Sequence, residues 1–493
     1  MQQKIVTTVK DSLVYSVGTV SREFVALFLI PVYTRVFSPT AFGIIAGVKM
    51  VIPIIQTLIF AAPQNSTARF YNDSKDPQDR KLIASAGLAQ AIFLALLLIL
   101  PLVLIFPQDL SALTLQDSTY AKYFILALLT LLFTVIGNYG LTMLRLNFKS
   151  VRYTVISIIQ IIVQVGLTIL LVVVFRWDIT GALAAPLITS IPFCFVLIWL
   201  TRNYYSKSLS TPRLKEMLTF GAPFIPVAIL GYILTYADRY FIINYCSLAD
   251  LGLYQIGVYL ASIITVLFAG FHTAWVPILW STFRDEDAKS FYSRISDYAF
   301  SLAILAIVAI SLFSREILTV FATGAYVEAY QVVPWLAFGL LFTRVFGLFI
   351  PGLGVAKKTI HYVWRSAVAV GVNIGLNFLL VPRYGMIGAA IATLIASVVS
   401  YVLLFIVSQR YYPIHFNFLG YLKITAIAVA MLASWYNFLL EISWQNILIK
   451  LGFMLLLIAS LFVFKMIGRS ELSYAKKAAV RYFRKLRQLR PFH

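Results

Sequence analysis

Residues 153–175 read YTVISIIQIIVQVGLTILLVVVF, a stretch in which no side chain is charged. A helix needs about 20 consecutive apolar residues to cross the hydrocarbon core of a bilayer, and this stretch is long enough. Arg152 stands directly before it and Arg176 directly after it. The stretch therefore predicts a transmembrane helix bounded by charge at both ends.

Comparable stretches recur along the whole chain, and its composition agrees with them. Of 493 residues, 61% are apolar and 12% are charged, whereas soluble domains carry about 25% charged residues. We therefore predict an all-α polytopic membrane protein. The same length criterion gives about fourteen spans, near 12–34, 41–64, 82–106, 121–144, 153–175, 181–200, 218–243, 252–277, 295–313, 331–353, 359–381, 385–408, 420–439 and 447–467.

The basic residues predict the orientation of these spans. Of 40 Lys and Arg residues, 30 fall in the loops and termini of one side, six on the other side, and four inside spans. Loops rich in Lys and Arg stay in the cytoplasm, so both termini are predicted to be cytoplasmic. Because the net charge of +21 comes from loops and a tail rather than a folded soluble surface, we expect no nucleic-acid partner.

Two halves of the chain can be aligned with each other. GALAAPLITS at 181–190 matches GAAIATLIAS at 388–397 in six of ten positions, an offset of 207. At an offset of 209, Ser38 and Gly43 align with Ser247 and Gly252. A displacement by six spans keeps both halves in the same orientation, so we predict a parallel repeat about an axis along the membrane normal.

The repeat divides the chain into two lobes of six spans each, which enclose a central cavity. Rocking one lobe against the other would expose a fixed site to each side of the membrane in turn. A duplicated membrane scaffold without transport is the alternative. The predicted units are an N-lobe at 1–205, a C-lobe at 206–415, two additional spans at 416–467 and a basic cytoplasmic tail at 468–493.

Six strong charges fall inside predicted spans, and each of them needs a polar environment. A charge at the bilayer centre costs about 2.5–3.5 kcal/mol on insertion scales, so such side chains face a wet cavity or each other. In span 1, Ser12, Ser16, Thr19 and Glu23 share one helix face. The six are Arg22, Glu23, Lys49, Asp238, Arg239 and Arg344.

These charges predict a cationic cavity. Four cations against two carboxylates leave a surplus of positive charge, which attracts an anion between walls of low dielectric constant. Arg also offers a fork of donors that suits phosphate oxygens. As alternatives, Lys49 could extend outward to the membrane surface, and the adjacent charges could be structural ion pairs. Adjacent residues on a helix point about 100° apart, so we expect Asp238 and Arg239 to pair poorly with each other.

Glu23 and Asp238 have a second possible role. A carboxylate in a medium of low dielectric constant has a raised proton affinity and can bind H⁺ or Na⁺. Transport could then be coupled to an ion gradient. The sequence does not choose between the two ions.

No motif for catalysis, for a metal or for another cofactor accompanies these charges. A GxxxxGK[ST] phosphate loop, an HExxH motif and a Cys/His cluster are all absent from the sequence, so we expect neither an enzyme nor a metal site. The tail from Ser470 to His493 alternates apolar with basic residues. It predicts an amphipathic helix on anionic membrane lipids, and docking of a partner enzyme there is a weaker hypothesis.

Two segments resemble a known family. KDSLVYSVGTVSREFVALFLIPVYTRVFSPTAFG at 10–43 resembles the first span and outer turn of bacterial oligosaccharide flippases, and NIGLNFLLVPRYGMIGAAIATLIAS at 373–397 resembles a late pair of their spans. These are Wzx-like transporters of the multidrug/oligosaccharidyl-lipid/polysaccharide superfamily. The similarity extends over roughly residues 10–408.

This resemblance implies a function and a site. It implies transfer of an undecaprenyl-diphosphate-linked oligosaccharide from the cytoplasmic to the periplasmic leaflet, in a pathway for O-antigen, exopolysaccharide or capsule that also contains a polymerase and assembly proteins. The family's cationic cavity would correspond by span and depth to Arg22, Lys49, Arg239 and Arg344. A lipid II flippase or a multidrug exporter of the same superfamily is the alternative. From another class, a polysaccharide polymerase or ligase would need a large outer loop, which this sequence lacks.

Overall fold

The computed structural model describes residues 29–356 and 360–466, and every structural statement below concerns these residues. Residues 29–36 are helical, and seventeen further α-helices follow in the described ranges without any strand. In chain order, α1–α17 are Pro39–Asp73, Pro77–Leu104, Pro107–Leu115, Ala121–Leu146, Ser150–Ile169, Asp178–Thr201, Thr211–Gly221, Phe224–Tyr245, Leu248–Ala261, Ile263–Thr282, Ala288–Leu312, Ser314–Phe321, Val333–Arg344, Pro351–Val355, Ile360–Tyr411, Phe418–Phe438 and Trp444–Val463.

Eleven helical segments in the described residues are long and apolar enough to cross a membrane. A bent pair, Gly324–Gln331 with Val333–Phe349, makes a twelfth if it is one span. The chain is therefore a multi-pass all-α membrane protein, as the sequence predicts. The predicted first span at 12–34 lies mostly outside the described residues. The count of fourteen is compatible with these helices and stays a prediction.

The longest helix, α15, accounts for part of the difference in that count. Its 52 residues are interrupted at Gly385, where φ is 57° and ψ is −139°. At 1.5 Å per residue, an unbroken helix of this length would extend about 78 Å, more than twice the thickness of a hydrocarbon core. Gly385 adopts a positive φ without a steric penalty from a Cβ, and the chain turns back there, which brings Asn373 within 3.4 Å of Thr393.

Equivalent serines begin two helices of the predicted repeat. The Oγ of Ser38 accepts a hydrogen bond from the amide of Ala41 at the start of α1. Ser247 forms a reciprocal capping box with Asp250 at the start of α9. Such caps stabilise a helix by about 1 kcal/mol. Both caps fix a helix end on the side that the basic residues predict to be away from the cytoplasm, hereafter the outer side.

Two apolar cores hold the helices together. The smaller core belongs to the N-terminal half, where Ile59, Leu128 and Tyr139 are buried against one another. The larger core continues from the outer part of that half, including Phe42 and Phe124, into the C-terminal half and the last two helices. The halves therefore share an apolar core at their outer ends.

The linker between the halves is fastened to the N-terminal half. In α7, the guanidinium of Arg213 donates from Nε and Nη2 to both carboxylate oxygens of Asp79, at 3.0 and 3.1 Å. The side chain of Gln90 donates to the carbonyl of Leu214 at 2.7 Å. A hydrogen bond to Glu216 and the charge of Asp79 raise the pKa of Arg213 above its usual range. The helix α7 lies in the predicted C-lobe at 206–415, but it packs on α1 and α2 of the N-terminal half.

Candidate functional site

A cavity of about 830 Å³ lies between the two groups of helices. Its walls come from α1, α4, α5 and α6 on one side and from α8, α9, α10, α13 and α15 on the other. Four charged residues in the described part of the chain line it, namely Lys49, Asp238, Arg239 and Arg344. Three cations thus face one carboxylate, and the described wall carries surplus positive charge.

Arg22 and Glu23, the other two predicted site residues, lie outside the described residues. The structure therefore brings together four of the six residues that the sequence predicted. Their roles in binding or coupling stay predictions.

Asp238 and Arg239 form an ion pair, which corrects the expectation that neighbours on a helix pair poorly. Arg239 Nη1 lies 3.0 Å from Asp238 Oδ1, and the Arg239 amide donates to the same oxygen at 2.8 Å. The long Arg side chain folds back along α8, and Nη1 also donates to the carbonyl of Thr235 at 2.7 Å. Its flexible stem therefore overcomes the 100° between their Cβ directions.

Neighbouring side chains fix this pair from α9. The hydroxyl of Tyr254 donates to Asp238 Oδ2, and Arg239 Nε donates to the side-chain oxygen of Gln255 at 3.1 Å. The guanidinium also lies 4.7 Å from the ring centroid of Tyr236. Asp238 and Arg239 are 4% and 5% exposed. The carboxylate thus accepts three hydrogen bonds and is the counter-charge of Arg239.

Lys49 has no carboxylate partner in the described parts of the chain. It lies on α1 with its side chain exposed to the cavity, so it does not extend outward along the lipid surface. Its ammonium lies 5.9 Å from the ring centroid of Tyr33, within the range of a cation–π contact. Lys49 therefore presents its amino group to the cavity with no carboxylate beside it in the described residues.

Arg344 stands at a break between α13 and a 3₁₀ turn, inside the second part of the bent span. It is the last residue of α13, and a 3₁₀ turn, Phe346–Phe349, follows. A cation is favoured at the negative end of a helix dipole. The carbonyl of Thr343 accepts a hydrogen bond from the hydroxyl of Tyr401 at 3.3 Å, which joins this break to α15. Arg344 is thereby held on the cavity wall by two elements.

A buried amide cluster behind the cavity escaped the sequence analysis. Asn373 and Asn377 are fully buried in α15, and Asn377 Nδ2 donates to Asn373 Oδ1 at 3.0 Å. Asn373 Nδ2 lies 3.4 Å from Thr393 Oγ1, and Thr393 lines the cavity. Asn377 Oδ1 has no hydrogen-bond partner in the described residues. Two amides at i and i+4 in an apolar span are the signal that could have found the cluster.

The outer end of the cavity is closed by α1 against α9. A Cβ built on Gly43 would lie 1.7 Å from the carbonyl oxygen of Leu248, and one built on Gly252 would lie 2.1 Å from that of Pro39. Residues 39 and 43 are the repeat equivalents of 248 and 252, so the two contacts are related by exchange of the halves. Such reciprocity is typical of a two-fold axis between surfaces and is compatible with the predicted repeat.

Polar contacts between the halves surround this crossing. Thr323 Oγ1 donates to the carbonyl of Thr34 at 3.0 Å, and the hydroxyl of Tyr326 donates to the carbonyl of Phe37 at 3.0 Å. On another side of the crossing, Gln116 and Asn244 are joined by a side-chain hydrogen bond of 2.8 Å. The structure is therefore closed on its outer side.

More charges lie inside helices than the six that the sequence predicted. Lys450, which the sequence assigned to the outer surface, is fully buried in α17 and paired with Glu316. Asp297 of α11 accepts a hydrogen bond from the hydroxyl of Tyr421 at 2.6 Å. Both contacts join the last two spans to the preceding half. Arg365, one of the basic residues counted with the cytoplasmic side, stands near the start of the predicted span 359–381 and lies within α15.

The sequence comparisons place this chain beside proteins of polysaccharide synthesis. A family model described as "Polysaccharide biosynthesis protein" matches residues 8–283, more than half of the chain. A Haemophilus influenzae protein named "Uncharacterized membrane protein" is 24% identical over 291 residues, which make up 57% of this chain and 67% of that protein.

Solved structures share the fold. "Lipid II flippase MurJ, inward closed conformation" matches with a TM-score of 0.73 and 16% identity, over 93% of this chain and 99% of that one. An inward-facing multidrug resistance MATE family transporter of the MOP superfamily matches with a TM-score of 0.63 and 15% identity, over 81% and 94%. At this identity the similarity establishes the fold, which is that of flippase-like proteins of this superfamily.

Proposed function

The chain belongs to the polysaccharide biosynthesis protein family, and from that premise we propose that it transfers an undecaprenyl-diphosphate-linked oligosaccharide between membrane leaflets. The direction of transfer is from the cytoplasmic to the periplasmic leaflet. The observation that carries this proposal is the cavity between the two halves, with its surplus positive charge.

The charge of the cavity suits a diphosphate. Asp238 is the counter-charge of Arg239, so Lys49 and Arg344 supply the attraction for an anion. A phosphate oxygen bound to a cation forms charge-assisted hydrogen bonds, which are about twice as strong as neutral ones. The cavity volume of about 830 Å³ is within the range of small-molecule sites. It can hold a phosphorylated headgroup, while the polyprenyl chain stays in the bilayer.

The closed outer side supports alternating access. A substrate that leaves to the outside requires α1 and α9 to separate where Gly43 and Gly252 are now in contact. The inner part of the N-terminal half has its own apolar core, and the core that the halves share lies at their outer ends, where rocking would have to separate them. The observed state is then the one that receives substrate from the cytoplasmic side.

Ion coupling at Asp238 is part of the proposal. H⁺ or Na⁺ that binds this carboxylate competes with Arg239 for it. Once its partner is neutralised, the Arg239 guanidinium is available to the substrate phosphates. Because the carboxylate is buried and accepts three hydrogen bonds, a bound cation would exchange slowly unless the helices move. Glu23 of the first span is the second candidate for the same role.

The location and partners follow from the same function. We place the protein in the bacterial inner membrane with both termini in the cytoplasm, where the tail from 468 to 493 binds anionic lipids. A polysaccharide polymerase and its assembly proteins would receive the product on the outer side.

A leaflet-specific assay of lipid-linked sugar tests the proposal. Cells without the protein should accumulate the sugar in the cytoplasmic leaflet, and the native chain should relieve this. Arg344→Gln, Lys49→Gln and Arg22→Gln should fail to relieve it, because each hydrogen bond to a charged group is worth roughly 1.5–3 kcal/mol, a factor of about 10 to 150. Arg410→Gln, an exposed position at the end of α15, is the matched control. Full relief by the Arg344 and Lys49 variants would refute the cationic site.

A further inference from the structure

Arg365 is a membrane-embedded cation to which the proposed transport mechanism gives no role. It is the sixth residue of α15, about 7 Å along the helix from its first residue at 1.5 Å per residue. The helix returns to the same side at Tyr411. Arg365 therefore lies near the cytoplasmic end of its span, shallower than the cations already described.

The donors of Arg365 are poorly satisfied. Its guanidinium forms no ion pair with a carboxylate in the described residues. The one hydrogen bond it makes there is from Nη2 to Ser366 Oγ at 3.5 Å, and its Nε is buried without any partner. Guanidinium has five N–H donors and cannot lose its charge in proteins. A charge inside a membrane-spanning helix whose donors are poorly satisfied is costly and is a candidate functional position.

The surroundings of Arg365 belong to the wall of the central cavity. Its guanidinium lies 5.0 Å from the ring centroid of Tyr401, and Tyr401 lines the cavity. The hydroxyl of Tyr401 donates to the carbonyl of Thr343, the residue before Arg344. Tyr401 is about 15 Å from the end of α15 at 1.5 Å per residue. Tyr401 thus contacts both the guanidinium of Arg365 and the residue that precedes Arg344.

We propose that Arg365, with Ser366 and the ring of Tyr401, forms a second phosphate-binding position at the cytoplasmic rim of the cavity. The diphosphate of an incoming lipid-linked substrate binds there before it passes Tyr401 to Arg344 and Lys49. This inference rests on the proposed function. The guanidinium of Arg365 has N–H donors left over that suit phosphate oxygens. Because Arg365 lies near the membrane surface, it raises the rate at which an anion enters the cavity rather than the stability of the complex at Arg344 and Lys49.

The same fork would also suit the headgroup of an anionic phospholipid, so the experiment separates the two sources. The full chain is placed in nanodiscs of phosphatidylcholine, and binding of farnesyl diphosphate and of inorganic pyrophosphate is followed by stopped-flow fluorescence. Association and dissociation rate constants are compared for the native chain and for Arg365→Gln, Arg365→Lys, Arg344→Gln and Arg410→Gln. A second set of nanodiscs contains phosphatidylglycerol. Elution volume and thermal midpoint establish that each variant is folded.

Arg365→Gln should lower the association rate constant for both probes by about tenfold, as expected for loss of electrostatic steering, with dissociation nearly unchanged. Arg365→Lys, which keeps the charge, should recover most of that rate. Arg344→Gln should accelerate dissociation instead. Arg410→Gln, equal in charge change and close in membrane depth, should change neither.

Two results would overturn the second position while the proposed function survives. One is an unchanged association rate in Arg365→Gln when Arg344→Gln still weakens binding. The other is an effect of Arg365→Gln that appears only with phosphatidylglycerol, since a bilayer headgroup would then be its ligand. If Arg344→Gln also leaves both probes bound as before, the proposed function itself fails.

Discussion

A single methyl group at the crossing of α1 and α9 should open the outer side of the cavity. In Gly43→Ala, the new Cβ would lie 1.7 Å from the carbonyl oxygen of Leu248, whereas ordinary contacts begin near 3.4 Å. The two backbones must separate by about 1.7 Å at this point. The position of the Cβ is fixed by the backbone of α1 and the oxygen belongs to the backbone of α9, so a change of rotamer cannot relieve the overlap.

The cost of this overlap falls on the closed state alone. Overpacking in a well-packed region destabilises by about 1–3 kcal/mol. In the outward-open state the helices are apart and the methyl group meets no neighbour. The closed-to-open ratio should therefore fall by about 5- to 150-fold. Gly252→Ala, with an overlap at 2.1 Å from Pro39, should act in the same direction.

A cysteine reporter measures this shift. Thr130→Cys places a thiol on the cavity wall, in a background where the native free thiols are removed as Cys194→Ser and Cys246→Ser. A membrane-impermeant maleimide added outside intact cells should label Thr130→Cys faster when Gly43 or Gly252 is alanine. Gly166→Ala is the control, because a Cβ on Gly166 meets nothing within 4 Å. Equal labelling of all three glycine variants would refute the assignment of this crossing as the outer closure.

Two further predictions concern charged pairs. Lys450→Met should lower the thermal midpoint strongly, because removal of one partner from a buried ion pair costs about 3–5 kcal/mol. Addition of Glu316→Leu should recover most of the lost stability. A Lys450→Met variant as stable as the native chain would show that the pair is not needed. Asp238→Asn should abolish the dependence of lipid-linked sugar transport on an imposed H⁺ or Na⁺ gradient, measured in proteoliposomes, since the neutral amide cannot bind either ion as a counter-charge. Retained dependence in Asp238→Asn would assign coupling to another residue, with Glu23→Gln as the next variant to measure.

The fold class and the position of the site were predictable from sequence because both follow from the cost of polar groups in lipid. Apolar length alone fixes where a helix can cross, and isolated charges such as Lys49 and Arg344 must face a cavity or a partner. Reading these two rules together predicts that charges distant in sequence meet, and the structure places Lys49, Asp238, Arg239 and Arg344 on one cavity.

The features that the sequence did not predict depend on the length of side chains and on contacts between distant elements. The pairing of Asp238 with Arg239 needs a side chain that folds back along its own helix. The Cβ directions of an ideal helix do not predict where the end of so long a side chain lies. Arg365 was counted with the basic residues of the cytoplasmic side, although it falls within the predicted span 359–381, because the sequence places span ends only to within a few residues. The amides Asn373 and Asn377 carry no charge, so a search for charges passed over them.

The ion pair between Asp238 and Arg239 changes which cations are available to an anion in the cavity. A count of charged residues treats Lys49, Arg239 and Arg344 as equal contributors to an anion site. In the structure, Asp238 holds Arg239 through Oδ1 while Tyr254 occupies Oδ2, so Arg239 reaches an anion only when its partner is neutralised or displaced. Because a ligand shifts an equilibrium only by its different affinity for two states, this conditional cation can couple ion binding to substrate binding. Lys49 has no carboxylate partner in the described residues, so its attraction for phosphate would not depend on an ion bound at Asp238.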